Sequence, residues 1–214
     1  TGTQTYKGAS GGSNIVISGT SPTFTTTNTA IAFNTSDVTL ANNGTTTINT
    51  GSGAGGVTFG AKVETNGGGN DNLTITSGEG NVTFTGSVGA GNSLGALSVN
   101  ASSGDGDITF SSTIGDSDSA GTSGTTAIGN DATEVIYFNN TLYSFDGGQT
   151  TITAKDGLNT RISQADTTIK VNGEALRFDE SALSLSSGAN LTINSNGGAI
   201  TCLLYTSPSP RDRG

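Results

Sequence analysis

Histidine, tryptophan and methionine are absent from this 214-residue chain, and it holds one cysteine, Cys202. A disulfide framework is therefore excluded, as is a zinc site built on clustered His and Cys. Only 12% of residues are charged, with 8 Lys and Arg against 17 Asp and Glu, for a net charge of −9. Phosphate recognition draws on clustered Lys and Arg, so nucleic acid is not an expected partner. No apolar run approaches the roughly 20 residues that span a bilayer. No charged-then-apolar leader opens the chain either, and Thr1 in place of Met is read as a cut end.

What the chain does hold is 34 glycines with a surplus of Thr, Ser and Asn. Disorder would go with high net charge and few β-branched residues. Here Val, Ile, Thr and Phe recur in short alternating runs between Gly, Asn and Ser clusters, which is the pattern of strands and turns. The expected class is all-β.

Three segments align: "VTFGAKV" from Val57, "VTFTGSV" from Val82 and "ITFSSTI" from Ile108, so their starts lie 25 and 26 residues apart. Alternate positions read apolar, Phe, small, apolar, as in Val82, Phe84, Gly86 and Val88. A period of two with one apolar face is a half-buried strand. A second short strand precedes each, at Thr46 to Ile48, Leu73 to Ile75 and Leu97 to Val99. The length differences between copies fall in the turns, where they disturb least.

A unit of this size cannot bury its apolar face alone, so neighbours must stack. The expected fold is a parallel β-helix, or β-solenoid, with coils of about 25 residues spaced about 4.8 Å apart. About eight coils would give a rod of roughly 40 Å. Phe59, Phe84 and Phe110 would form an interior ladder, with Ala61, Gly86 and Ser112 at corners. An antiparallel β-sandwich array is the alternative.

"LTINSNGGAIT" from Leu191 reads as a fourth copy, which calls for Phe at position 202 and meets Cys202 instead. From there "CLLYTSPSPRD" resembles the translation of a DNA adaptor used in transposase-based sequencing libraries. On that resemblance residues 202–214 are a non-native tail, and residues 1–201 are a solenoid fragment truncated at both ends.

"GNVTFTGSVGAGNSLGALSVNASSGDGDITFSSTIG", from Gly80 to Gly115, resembles the β-strand repeats of filamentous-haemagglutinin-like adhesins and autotransporter passengers. The likeness covers residues 44–115 and returns at 189–201. It implies a secreted, right-handed β-helical stalk at the cell surface of a bacterium or outside it. Its partners would be surface glycans or host and matrix proteins. It supplies no binding residue.

Carboxylates in turns are the candidate metal ligands. "GGGNDNLTI", Gly67 to Ile75, is similar to the calcium-binding nonapeptide of RTX proteins, which places Asp71 as a calcium ligand. "GDGD" offers Asp105 and Asp107 as calcium ligands in a second turn. "DSDSAG" from Asp116 opens like an EF-hand loop, but Ala120 and Ala127 stand where ligands belong, which rejects that motif.

Residues 134–182 depart from the repeat. "EVIYFNNTLYSFDGG" gathers aromatics, and Tyr137 and Tyr143 are the candidates for a glycan platform. A glycan-binding module is accordingly the alternative function to a stalk. A β-helical polysaccharide lyase or hydrolase is the rival enzyme class. Against it, Arg161 and Arg177 are the only arginines before the tail, and no convergent acid–base pair, GxSxG or phosphate loop is present.

Overall fold

Alternation of apolar and polar residues over three to six positions puts one row of side chains inside and one outside. In the computed structural model, which describes residues 2–8, 14–68, 70–101 and 106–203, these short strands wind into a parallel β-solenoid of about seven turns. Of residues 156–159 the backbone alone is described. Successive strands on each side lie about 25 residues apart and pair in parallel.

The first side carries β1 (Gln4–Tyr6), β4 (Ile31–Phe33), β7 (Val57–Phe59), β10 (Val82–Phe84), β12 (Ile108–Phe110) and β14 (Ile136–Phe138). The ends of β16 (Thr150–Ile162) and β18 (Leu176–Leu185) complete it. On the second side stand β2 (Ile15–Ser18), β5 (Val38–Ala41) and β8 (Val63–Thr65), then β15 (Leu142–Phe145), β17 (Thr167–Val171) and β19 (Leu191–Asn194). Single bridges at Val88 and Ile114 join these two groups. The third side holds β3 (Thr23–Thr25), β6 (Thr45–Asn49), β9 (Asn72–Ser77), β11 (Leu97–Ala101) and β13 (Thr126–Ile128). The starts of β16 and β18 and then β20 (Ile200–Leu203) follow it.

The register is residue for residue: Val57 pairs with Val82 and Val82 with Ile108, so Phe59, Phe84 and Phe110 line up. The ladder is longer than the three matched segments, running from Tyr6 through Phe33 to Phe138. Ring centroids from Phe33 to Phe110 are 4.9 to 5.1 Å apart with planes within 6° of parallel. Opposite it on the third side, Ile48, Ile75, Val99, Ile128 and Ile152 form an aliphatic ladder that continues onto Phe178. Burying each Phe contributes about 1.5–3 kcal/mol, and stacking adds about 0.5–1.5 kcal/mol.

Two details of the repeat differ from the sequence expectation. "VTFGAKV" is not one strand: it ends at Phe59, turns at Gly60 and Ala61, and resumes at Val63 on the next side. "LTINSNGGAIT" is also displaced by one side. Leu191–Asn194 pairs with β17 on the second side, and Cys202 pairs with Phe178 on the third, so position 202 is not a Phe59 equivalent. The strand–turn–strand unit recurs at every corner, and composition alone does not say which corner. Residues 204–214 of the adaptor-like tail lie outside the described residues.

The compositionally distinct residues 134–182 continue the same stack, β14 pairing with β12 and β17 with β15. What changes is one corner. β16 runs 13 residues through it without a break, paired to β18 with register shifts around Gly157. Inside this corner the buried hydroxyls of Thr160 and Ser181 bond to each other, satisfying both away from water.

Candidate functional site

Asp71 begins at the corner between the second and third sides and is fully buried. Its Oδ1 accepts the backbone N–H of Asn42 at 2.7 Å and of Asn43 at 2.5 Å, both in the turn of the preceding coil. Asn43 has φ of 49°, so successive N–H groups converge as a nest that favours an anion. The carboxylate thus ties one coil to the next, leaving Oδ2 as its one uncommitted oxygen.

Asp107 sits at a different corner, just ahead of β12. Its N–H donates to Asn81 Oδ1 at 3.0 Å, and its own Oδ1 accepts the Val135 N–H at 3.1 Å, so side chains bridge three coils. Burial pushes its carboxyl above the usual range, the Val135 N–H opposes that, and nearby Glu134 adds to it. Asp71 and Asp107 are not brought together, and Asp105 lies outside the described residues. Among the described residues no three His, Cys, Asp or Glu side chains gather to hold a metal ion.

The two tyrosines stand on opposite sides of the wall. Tyr137, outward on β14, is half-buried with the Arg161 guanidinium carbon 5.6 Å above its ring. Tyr143 points inward and is fully buried, edge-on to Phe138 with centroids 4.6 Å apart. Its hydroxyl accepts the Asn140 N–H at 2.6 Å, and burial pushes its pKa up. Tyr143 is therefore a core residue, because the chain has dropped a bulky ring into the solenoid beside the Phe ladder. It cannot share a glycan platform with Tyr137.

A concave feature on the second side lies apart from both tyrosine rings. On the second side, Ile114 bridges Tyr143 and Thr122 bridges Phe145, so the stretch between Ile114 and Thr122 must bulge outward. A parallel bulge lies one coil earlier between Val88 and Leu94, and the Ser93 hydroxyl donates to the Ala120 carbonyl to join them. Asp116 fixes the outer loop by accepting the N–H groups of Asp118 at 2.9 Å and Ser119 at 2.7 Å. The loop overhangs β15, β17 and β19 and leaves a cleft of about 260 Å³.

Two rows of side chains form the cleft's floor. Ser144, Lys170 and Asn194 are register partners in one. Asp146, Asn172 and Asn196 make the second, one residue past the paired Phe145 and Val171, with Asn196 donating to Asn172 Oδ1 at 2.8 Å. Phe145 and Val171 between the rows are buried, which turns both rows outward. Sequence reasoning missed this cleft. The available signal was "DG", "NG" and "NG" at Asp146, Asn172 and Asn196, each about one coil from the next.

No protein-family model, curated protein or solved structure matches the chain. The fold defines its class: a parallel β-solenoid with an aromatic core ladder and a polar cleft under the 115–121 loop on its second side. No helix among the described residues is long and apolar enough to cross a membrane.

Proposed function

We propose that this chain is a structural stalk or passenger segment of a large secreted or surface-exposed bacterial adhesin, projecting binding regions away from the cell. The observation that carries the reading is the parallel stack, in register along its length except for shifts around Gly157. Backbone ladders on three sides and the ring column from Tyr6 to Phe138 follow one axis. At about 4.8 Å per coil the turns make a rod of about 34 Å, which neighbouring coils of the same kind would lengthen without a new core design. The resemblance of residues 44–115 to filamentous-haemagglutinin-like repeats supports the same reading. The role is mechanical, not catalytic.

Antibodies raised against the chain test it on intact cells that express the natural protein. The expected result is surface labelling that mild protease treatment removes. Labelling that appears only after lysis overturns the reading.

A further inference from the structure

We propose that the cleft under the 115–121 loop binds an uncharged saccharide chain lying along the rod axis. A sugar hydroxyl both donates and accepts, so its site needs groups of both kinds at close spacing. Asn172, Asn194 and Asn196 each carry a donor and an acceptor, Ser144 does so through one oxygen, and Asp118 and Asp146 accept. Lys170 supplies an ammonium donor that has no ion-pair partner among the described residues. With two carboxylates against one ammonium, the lining disfavours phosphate, sulfate or uronate groups, and a neutral polyol suits it better.

The geometry suits a polymer. Each floor row presents a polar side chain on every coil, at about the 4.8 Å strand spacing. A linear ligand with hydroxyls along its length can therefore meet a polar group of each row on successive coils, Ser144, Lys170 and Asn194 in one and Asp146, Asn172 and Asn196 in the other. The wall is preformed, since Asp116 holds the loop and the Gly121 N–H donates to the Ser144 carbonyl at 2.8 Å. A fixed wall lowers the ordering cost of binding. The lining is polar and offers no exposed ring to stack on, so a single site is weak, and useful avidity would come from many copies along a surface. The inference stands apart from the stalk reading, because the cleft can bind whether or not the chain is displayed on cells.

The full chain, applied to an array of neutral and anionic oligosaccharides, provides the test. Wild type is expected to bind one or more neutral glycans. The double variant Asn172→Ala with Asn196→Ala should lose about tenfold in affinity, and Thr83→Ala on the first side should lose nothing. Absence of binding, binding to anionic glycans alone, or full binding by the double variant overturns the proposal. Should that variant fold poorly, amide shifts of wild type with the bound oligosaccharide decide. Perturbation at residues 118, 146, 172 and 196 supports the cleft, and perturbation confined elsewhere overturns it.

Discussion

Phe59 and Phe84 stack one coil apart, with ring centroids 5.1 Å from each other and planes 3° from parallel. Phe84 has a second such neighbour in Phe110 at 5.0 Å. Truncating it removes contacts on both sides of a fully buried ring. Phe84→Ala is expected to cost about 3–5 kcal/mol in urea unfolding. Tyr6 ends the column and is half-buried, so Tyr6→Ala should cost clearly less. Equal losses would show that the column does not act as a stack.

Two glycines separate backbone strain from steric conflict. Gly147 has φ of 76° and Gly188 has φ of 81°, a region that a side chain resists. A Cβ at Gly188 meets nothing within 4 Å, whereas one at Gly147 collides with the Ser123 carbonyl of the preceding coil. Gly188→Ala should cost about 1 kcal/mol. Gly147→Ala should cost more, because two coils must separate at that corner. The comparison is read from paired melting curves.

Much of this architecture was legible in the sequence, and the residues show why. Val57, Val82 and Ile108 begin near-identical strings, and the fold pairs them in the register that the strings imply. Phe33 and Phe138 belong to the same column but stand outside the matched strings, since Ala32 and Tyr137 replace the outward Thr of the motif. An outward position tolerates such change because only the inward row sets the packing. The corner phase of Leu191 was not legible for the opposite reason: every side uses the same strand–turn–strand unit. The cleft was hidden because it depends on loop bulges between Val88 and Leu94 and between Ile114 and Thr122, whose effect exists only once coils are stacked.

Asp71 is expected to act as an inter-coil tie. Asp71→Ala strips the acceptor from the Asn42 and Asn43 N–H groups and should cost about 1–3 kcal/mol. Asp71→Asn keeps an acceptor oxygen and should cost less. Both losses should be the same in calcium and in EDTA, since one oxygen already serves two backbone donors. A loss that appears only in calcium would support the metal role drawn from the nonapeptide likeness.

The tyrosines should respond differently to truncation. Tyr143→Ala opens a cavity beside Phe138 and should cost about 3–5 kcal/mol. Tyr143→Phe keeps the ring but leaves the Asn140 N–H without its acceptor, which should cost about 1 kcal/mol. Tyr137→Ala removes a half-buried ring and its contact with Arg161, worth about 0.5–1 kcal/mol at an exposed site. A larger penalty at Tyr137 than at Tyr143 would contradict the inward placement of Tyr143.

Asp107 gives the fold a pH dependence of predictable sign. Burial raises its pKa in the folded chain above the unfolded value. Between the two values the folded state holds the proton more firmly, so stability falls as pH rises through that window. At pH 7 the charged carboxylate is therefore a net cost, even though its oxygen serves Val135. Asp107→Asn retains an oxygen for that N–H and removes the charge, including its repulsion with Glu134. The variant should melt higher than wild type at pH 7, and the difference should shrink as pH approaches about 4, where the unfolded carboxyl also protonates. Melts across this range decide the matter. A lower melting point for the variant at pH 7 would mean that the charge itself holds the corner. A calcium-dependent rise in wild type that the variant lacks would support Asp107 as a metal ligand.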